Sequence, residues 1–178
     1  LAFKPDLADA ARRWEAFYAG DLIDRPPVCV TAPLSGRRPG PWPTYRERAH
    51  DGFDALIDRV LAIGEATFWG GEAVPCWYPG FGPDEIAAGC GGRLEHDPDS
   101  GDTSWSVPFV EDWTAALPLR LRDDDPLWRR ALDLYRRAAD RLAGKMLLSP
   151  LDLHTNMDLL SAARGPERLC MDLLDEPG

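Results

Sequence analysis

A chain of 178 residues with 44% apolar and 28% charged residues is long enough for one domain with a real core and too apolar to stay disordered. Its longest apolar stretches, Lys145–Ser149 and Val28–Val30, are far shorter than the roughly 20 residues that span a bilayer, and the opening Leu-Ala-Phe-Lys-Pro-Asp lacks the basic and then apolar regions of a signal peptide. A net charge of −10 repels nucleic acid phosphates and anionic membranes, so the expected partner is a small molecule or another protein.

In chain order, Asp6 is placed to cap a helix whose apolar face carries Leu7, Ala11, Trp14 and Tyr18, with Gly20 at its end. Pro26-Pro27 precede Val28–Thr31, a short apolar run of the kind found in a strand buried on both faces. After a Gly/Pro loop from Leu34 to Pro43, Thr44 and Glu47 have the spacing of a capping box, opening a helix with Phe53, Leu56, Ile57, Val60 and Leu61 on one face as far as Gly64. Residues 66–69 read as a second buried strand. A short helix is predicted from Pro83 to about Ala88. Arg93–His96 and Thr103–Val110 flank the turn-forming cluster 97–102 and predict a β-hairpin. Asp125 and Pro126 start a long helix ended by Gly144, residues 145–149 form a third buried strand, and Thr155-capped and Pro166-started helices follow.

Helices alternating with buried strands at 28–31, 66–69 and 145–149 predict a parallel sheet with right-handed crossovers. Three parallel strands leave open edges. The fold class expected is therefore α/β, a partial (β/α)8 barrel comprising its first half, with the hairpin inserted and residues 1–178 forming part of a single barrel domain. An oligomer such as a homodimer is the alternative way to cover those edges. Cys29, Cys76, Cys90 and Cys170 are widely spaced, which suits a reduced, cytoplasmic setting better than a disulfide frame.

Residues that follow barrel strands face the active site, which nominates Arg37, Glu72, Asp152 and His154. Glu72 either accepts hydrogen bonds from a substrate or acts as a general base, or it is a solvated loop carboxylate. Arg37 pairs with a substrate carboxylate or is simply exposed. Asp152 orients the His154 imidazole or holds a ligand, with loop fixing as the alternative. Trp69, Trp77, Tyr78 and Trp105 line a pocket for a flat ligand or fill the core. Gly80-Phe-Gly-Pro83 either receives an anion or makes a tight turn. Cys90 and His96 lack the spacing of a local zinc site.

The segment Asn156-Met-Asp-Leu-Leu-Ser-Ala-Ala-Arg-Gly-Pro, continuing to Asp172-Leu-Leu-Asp-Glu-Pro177, resembles the uroporphyrinogen decarboxylase-like family. Pro27-Val-Cys-Val, Gly80-Phe-Gly-Pro83 and Thr103-Ser-Trp105 look like its divergent bacterial branch. The resemblance implies a (β/α)8 barrel roughly twice this length, with this chain matching the N-terminal half. It also implies tetrapyrrole-linked chemistry: porphyrinogen decarboxylation, or methyl transfer together with a corrinoid protein. Glu72, Asp152 and His154 then become catalytic candidates, and Arg37, Trp69 and Tyr78 substrate-binding ones. The chain departs from the decarboxylase pattern where Thr31-Ala32-Pro33 directly follows the first strand and where Gly71 replaces the family's Asp. Those departures favour methyl transfer over decarboxylation, with a non-catalytic tetrapyrrole- or corrinoid-protein-binding barrel as a further alternative. No cofactor is expected within this chain, because a methyltransferase zinc would draw its ligands mainly from the later half of the barrel.

Overall fold

The computed structural model describes residues 1–99 and 101–175. Ser100 of the predicted turn and residues 176–178, including the last Pro of the C-terminal motif, lie outside the described residues. The elements run in the order α1 (Leu7–Tyr18), β1 (Cys29–Pro33), α2 (Tyr45–His50), α3 (Phe53–Ala66), β2 (Thr67–Gly71), β3 (Cys76–Trp77), α4 (Glu85–Gly89), β4 (Arg93–Glu95), β5 (Trp105–Val107), α5 (Trp113–Ala116), α6 (Pro126–Leu142), β6 (Leu147–Leu148), α7 (Met157–Arg164) and α8 (Pro166–Asp175). Contacts divide the chain into two compact units, 1–43 with 52–79 and 136–150, and 44–51 with 80–135 and 151–178.

In the first unit, α3 supplies most of the core. Leu56, Ile57, Val60 and Ile63 recur at helical spacing and are all buried, together with Trp77, Ala138, Leu142 and Met146. The strands here differ from expectation. β1 is exposed along its whole length and pairs antiparallel with β2, in the register Cys29↔Gly71 to Pro33↔Thr67. A four-residue apolar run cannot distinguish a buried strand from a solvated antiparallel one, because it is too short for periodicity to report burial. Parallel pairing does occur, between β3, which no sequence signal marked, and β6, with Leu147 N–H donating to Pro75 O (2.8 Å) and Ser149 N–H to Trp77 O (2.9 Å). Lys4, 1% exposed, ties the start of the chain to β2: its Nζ donates to Trp69 O (3.0 Å), Gly71 O (2.6 Å) and Asp6 Oδ2 (3.0 Å).

In the second unit, Phe81, Ala87, Ala88, Val110, Ala131, Leu134, Ala163 and Leu169 form the core. The capping box is present: Thr44 Oγ1 accepts from Glu47 N–H (3.2 Å) and Glu47 Oε2 from Thr44 N–H (2.7 Å). The helix it opens ends at His50 and does not continue to Gly64. Arg130 Nη2 takes Arg48 O (3.1 Å) and Asp51 O (2.5 Å), carbonyls that further helical turns would have used, and Gly52 is a poor helix former at the break. The hairpin is found as β4 and β5, paired antiparallel from Arg93↔Val107 to Glu95↔Trp105. The described residues form three two-stranded sheets.

Candidate functional site

Ligands of parallel α/β folds bind in the loops that leave the carboxyl ends of the strands. The chain leaves β3 through residues 78–84 and β6 through residues 149–156. Residues 80–84 and 151–156 both belong to the second unit.

The first loop is held from several sides. Phe81 is fully buried, its N–H donates to the buried Glu85 carboxylate (2.8 Å), and its carbonyl accepts from His96 Nε2 (3.1 Å). Gly80 O accepts from Arg48 Nη1 (2.7 Å). Gly82 has φ +109, and a Cβ there would stand 2.3 Å from Ser104 Oγ, so only glycine fits. With the Phe81 amide already given to a carboxylate, Gly80–Pro83 is a tight turn and not an anion cradle.

This loop delivers Asp84 to the start of α4 with φ 64, a left-handed backbone uncommon outside glycine. Asp84 Oδ2 accepts from Ser106 N–H (3.3 Å), and its Oδ1 lies 4.0 Å from His154 Nδ1. On the other side of the ring, His154 Nε2 lies 3.3 Å from Asp152 Oδ2. The three side chains are 21%, 38% and 42% exposed for Asp84, His154 and Asp152, so the imidazole is framed by carboxylates and still reachable. Only the Asp152 oxygen is within hydrogen-bond distance of the ring, and the Asp84 carboxylate at 4.0 Å acts on it through charge alone. The arrangement can hold a proton and pass it on. It presents acceptors, and therefore suits a ligand that offers N–H or O–H donors.

The structure thus brings together two of the residues that the sequence nominated, Asp152 and His154, and adds Asp84. Asn156, not Thr155, is the residue before α7, with φ 55 and ψ −126 and no side-chain cap bond. Sequence reasoning missed Asp84 because the helix expected from Pro83 to about Ala88 takes it as an ordinary acidic residue of the first turn, whereas α4 starts at Glu85. Its left-handed backbone leaves no mark in composition or spacing.

Glu72 lies in the first unit and is 1% exposed. Its carboxylate accepts from Arg25 Nη1 (2.6 Å) and Nη2 (2.8 Å) and from Val28 N–H (2.7 Å), with Arg13 Nη1 at 3.5 Å. The Arg25 guanidinium, and after it the Val28 amide, hold this group at about 2, well below the usual carboxylate value. An acid that strong is a poor base at neutral pH. The geometry assigns Glu72 an architectural part, tying the segment before β1 to the end of β2.

Arg37 is exposed in the loop after β1, its N–H donating to Leu34 O (2.9 Å). Trp69 is fixed by its Nε1–H to Gly64 O (3.1 Å) and lines, with Trp42, Thr31, Thr67 and Cys76, a first-unit cleft of about 460 Å³. Tyr78 is half-buried in the same unit, and Trp77 belongs to the core. In the second unit, Trp105 lines a cleft of about 460 Å³ with Arg46, His50 and His96. Burial lowers the His96 pKa and raises that of the Cys90 thiol, which favours the neutral form of each. All four cysteines are free. Among the described residues, no group of three or more His, Cys, Asp or Glu side chains is arranged to hold a metal ion, and no helix is long and apolar enough to cross a membrane.

No protein family model, no curated protein and no solved structure matches this chain.

Proposed function

We propose that the protein is a uroporphyrinogen decarboxylase-like enzyme, built as a partial (β/α)8 barrel, that carries out tetrapyrrole-linked chemistry at His154, with corrinoid-dependent methyl transfer favoured over porphyrinogen decarboxylation. The observation that carries this reading is the placement of His154 between Asp152 and Asp84, on the loops that continue from the parallel strands β3 and β6. Acceptors gathered at that position suit the pyrrole N–H groups of a tetrapyrrole. In methyl transfer from a corrinoid to a thiol, the cobalt–carbon bond would break with its electron pair left on the cobalt as the carbon–sulfur bond forms, and His154 would take up the proton that the thiol loses.

Gly71 supports the preference. The resemblance places the decarboxylases' Asp at this position. Here the backbone has φ +59, and a Cβ would stand 2.1 Å from Val28 O. No side chain fits there without moving β1, and the adjacent Glu72 is held by Arg25. The methyltransferases of the family use zinc, and among the described residues no group of three or more His, Cys, Asp or Glu side chains is arranged to hold it.

The test is to incubate the protein with methylcobalamin and a small thiol, following the visible spectrum, and in parallel with uroporphyrinogen, following loss of carboxyl groups chromatographically. Methyl transfer that falls about 100-fold or more in His154→Ala is expected. Efficient porphyrinogen decarboxylation would overturn the preference. Binding of the corrinoid or porphyrinogen with no turnover of either would replace the enzyme with a carrier.

A further inference from the structure

The antiparallel ribbon of β1 and β2 has two outer edges, and the hydrogen bonds at its ends fix which backbone groups face them. Leu34 N–H donates inward to Ala66 O (2.8 Å), and Glu72 N–H to Val28 O (2.9 Å). Bonding alternates along an antiparallel strand, so Val28, Val30, Ala32 and Leu34 bond across the ribbon while Cys29 and Thr31 face outward from β1. Gly71 and Trp69, which stand opposite them, face outward from β2. The β2 edge is closed, because the Lys4 ammonium takes the carbonyls of both Trp69 and Gly71. The β1 edge is open. All five of its residues are exposed, and among the described residues no group outside the ribbon bonds the N–H or C=O of Cys29 or Thr31.

Open edges are usually blunted by charged side chains, yet residues 28–34 and 67–71 contain none. One face of the ribbon is instead apolar: Val28, Val30 and Phe68 are 50%, 47% and 51% exposed. They lie together because residues 28, 30 and 32 share a face and Phe68 pairs with Ala32. In a chain of net charge −10, this uncharged strip is where a second copy meets no local repulsion.

We propose that β1 pairs antiparallel with β1 of a second copy, about a twofold axis at Val30, joining the two-stranded ribbons of both copies into one sheet. In this register Cys29 of each copy meets Thr31 of the other, and every outward N–H and C=O of these residues finds a partner. The adjacent registers set Pro27 or Pro33, which have no N–H, against one of them. Val30 then faces its own copy across the axis, with Val28 opposite Ala32, and the apolar strip is covered. The same patch serves both copies, Lys4 closes the far edge of the ribbon, and prolines bracket the near one, so association stops at the dimer. The pairing does not depend on the reaction at His154.

Sedimentation velocity from about 1 to about 100 µM, the range in which so small an interface dissociates, measures the equilibrium. A dimer whose share rises with concentration is expected. Val30→Lys sets like charges against each other at the axis, and Thr31→Pro removes an outward N–H while leaving the ribbon's own bonds. Each should weaken the dimer about 10-fold or more with the far-ultraviolet circular dichroism unchanged. The register has its own test, free of any effect of those variants on folding. Val30→Cys combined with Cys29→Ser should give a disulfide-linked dimer under mild oxidation, mapped by peptide analysis to position 30, because facing Cα atoms there lie about 4.5 Å apart. Ala32→Cys combined with Cys29→Ser should not, since the two thiols lie on either side of the axis. A monomer across the whole range, a dimer that either Val30→Lys or Thr31→Pro leaves intact, or cross-linking at 32 equal to that at 30 would overturn the proposal.

Discussion

Replacing Arg25 with Ala tests whether Glu72 is an architectural anion, and the structure predicts an asymmetry between the two partners. Glu72 is 1% exposed and Arg25 41%. Removing one partner of a buried pair costs about 3–5 kcal/mol when the other is left buried. In Arg25→Ala the stranded group is the buried carboxylate, which keeps the Val28 N–H and the more distant Arg13. In Glu72→Gln the stranded group is a guanidinium that already reaches water, and the amide oxygen can still accept from Val28 N–H. Lowering the Glu72 pKa from 4.5 to about 2 corresponds to roughly 3 kcal/mol as an upper bound, which solvent at Arg25 reduces to about 2. The expected losses at pH 7 are therefore about 2–3 kcal/mol for Arg25→Ala and about 1 kcal/mol for Glu72→Gln.

The pH dependence follows from the direction of the shift. Because the folded-state pKa is depressed, the stabilisation is fully present above about 4.5 and is lost as pH falls through about 2. Urea unfolding followed by tryptophan fluorescence at pH 7 and pH 3 measures both effects, and the gap between Arg25→Ala and the unaltered protein should narrow by about half at pH 3. A larger cost for Glu72→Gln than for Arg25→Ala, or a gap that widens at pH 3, would refute the reasoning.

Two further substitutions probe backbone geometry. Gly71→Ala should cost more than about 2 kcal/mol in the same urea experiment, because φ +59 and a contact at 2.1 Å to Val28 O both oppose a Cβ; a loss under about 0.5 kcal/mol would mean that β1 yields easily. Asn156→Gly should raise stability by about 1 kcal/mol by relieving the φ 55, ψ −126 backbone, while Thr155→Ala should be nearly neutral. If Thr155→Ala instead lost the roughly 1 kcal/mol of an N-cap, Thr155 and not Asn156 would be the true cap of α7.

The elements most legible in the sequence are those whose signals are local. The face of α3, the Thr44–Glu47 capping box, the Pro126 and Pro166 helix starts and the 93–107 hairpin each depend on residues within a few positions of one another. The misreadings come where a distant group intervenes. Arg130 ends α2 from across 79 residues by taking Asp51 O, Arg25 reaches Glu72 across 47, and Lys4 reaches Gly71 across 67. A polar side chain that meets backbone or carboxylate so far along the chain leaves no periodicity to detect. The two-residue strand β3 is too short to carry a pattern, yet it pairs in parallel with β6.

The same distinction explains why the site was half visible. One rule, that residues following a strand face the ligand, nominates both Glu72 and His154. The rule assumes that the strand lies in the parallel sheet. β6 does, and the loop it leaves carries Asp152 and His154. β2 pairs antiparallel with β1, so the residue after it has no claim to that position, and its carboxylate is closed off by Arg25 and Val28. Applying the rule to the other member of the parallel pair selects the loop after β3, which ends in Asp84. Strand direction, which a run of apolar residues does not encode, therefore separates the carboxylate that frames His154 from the one that holds the fold together.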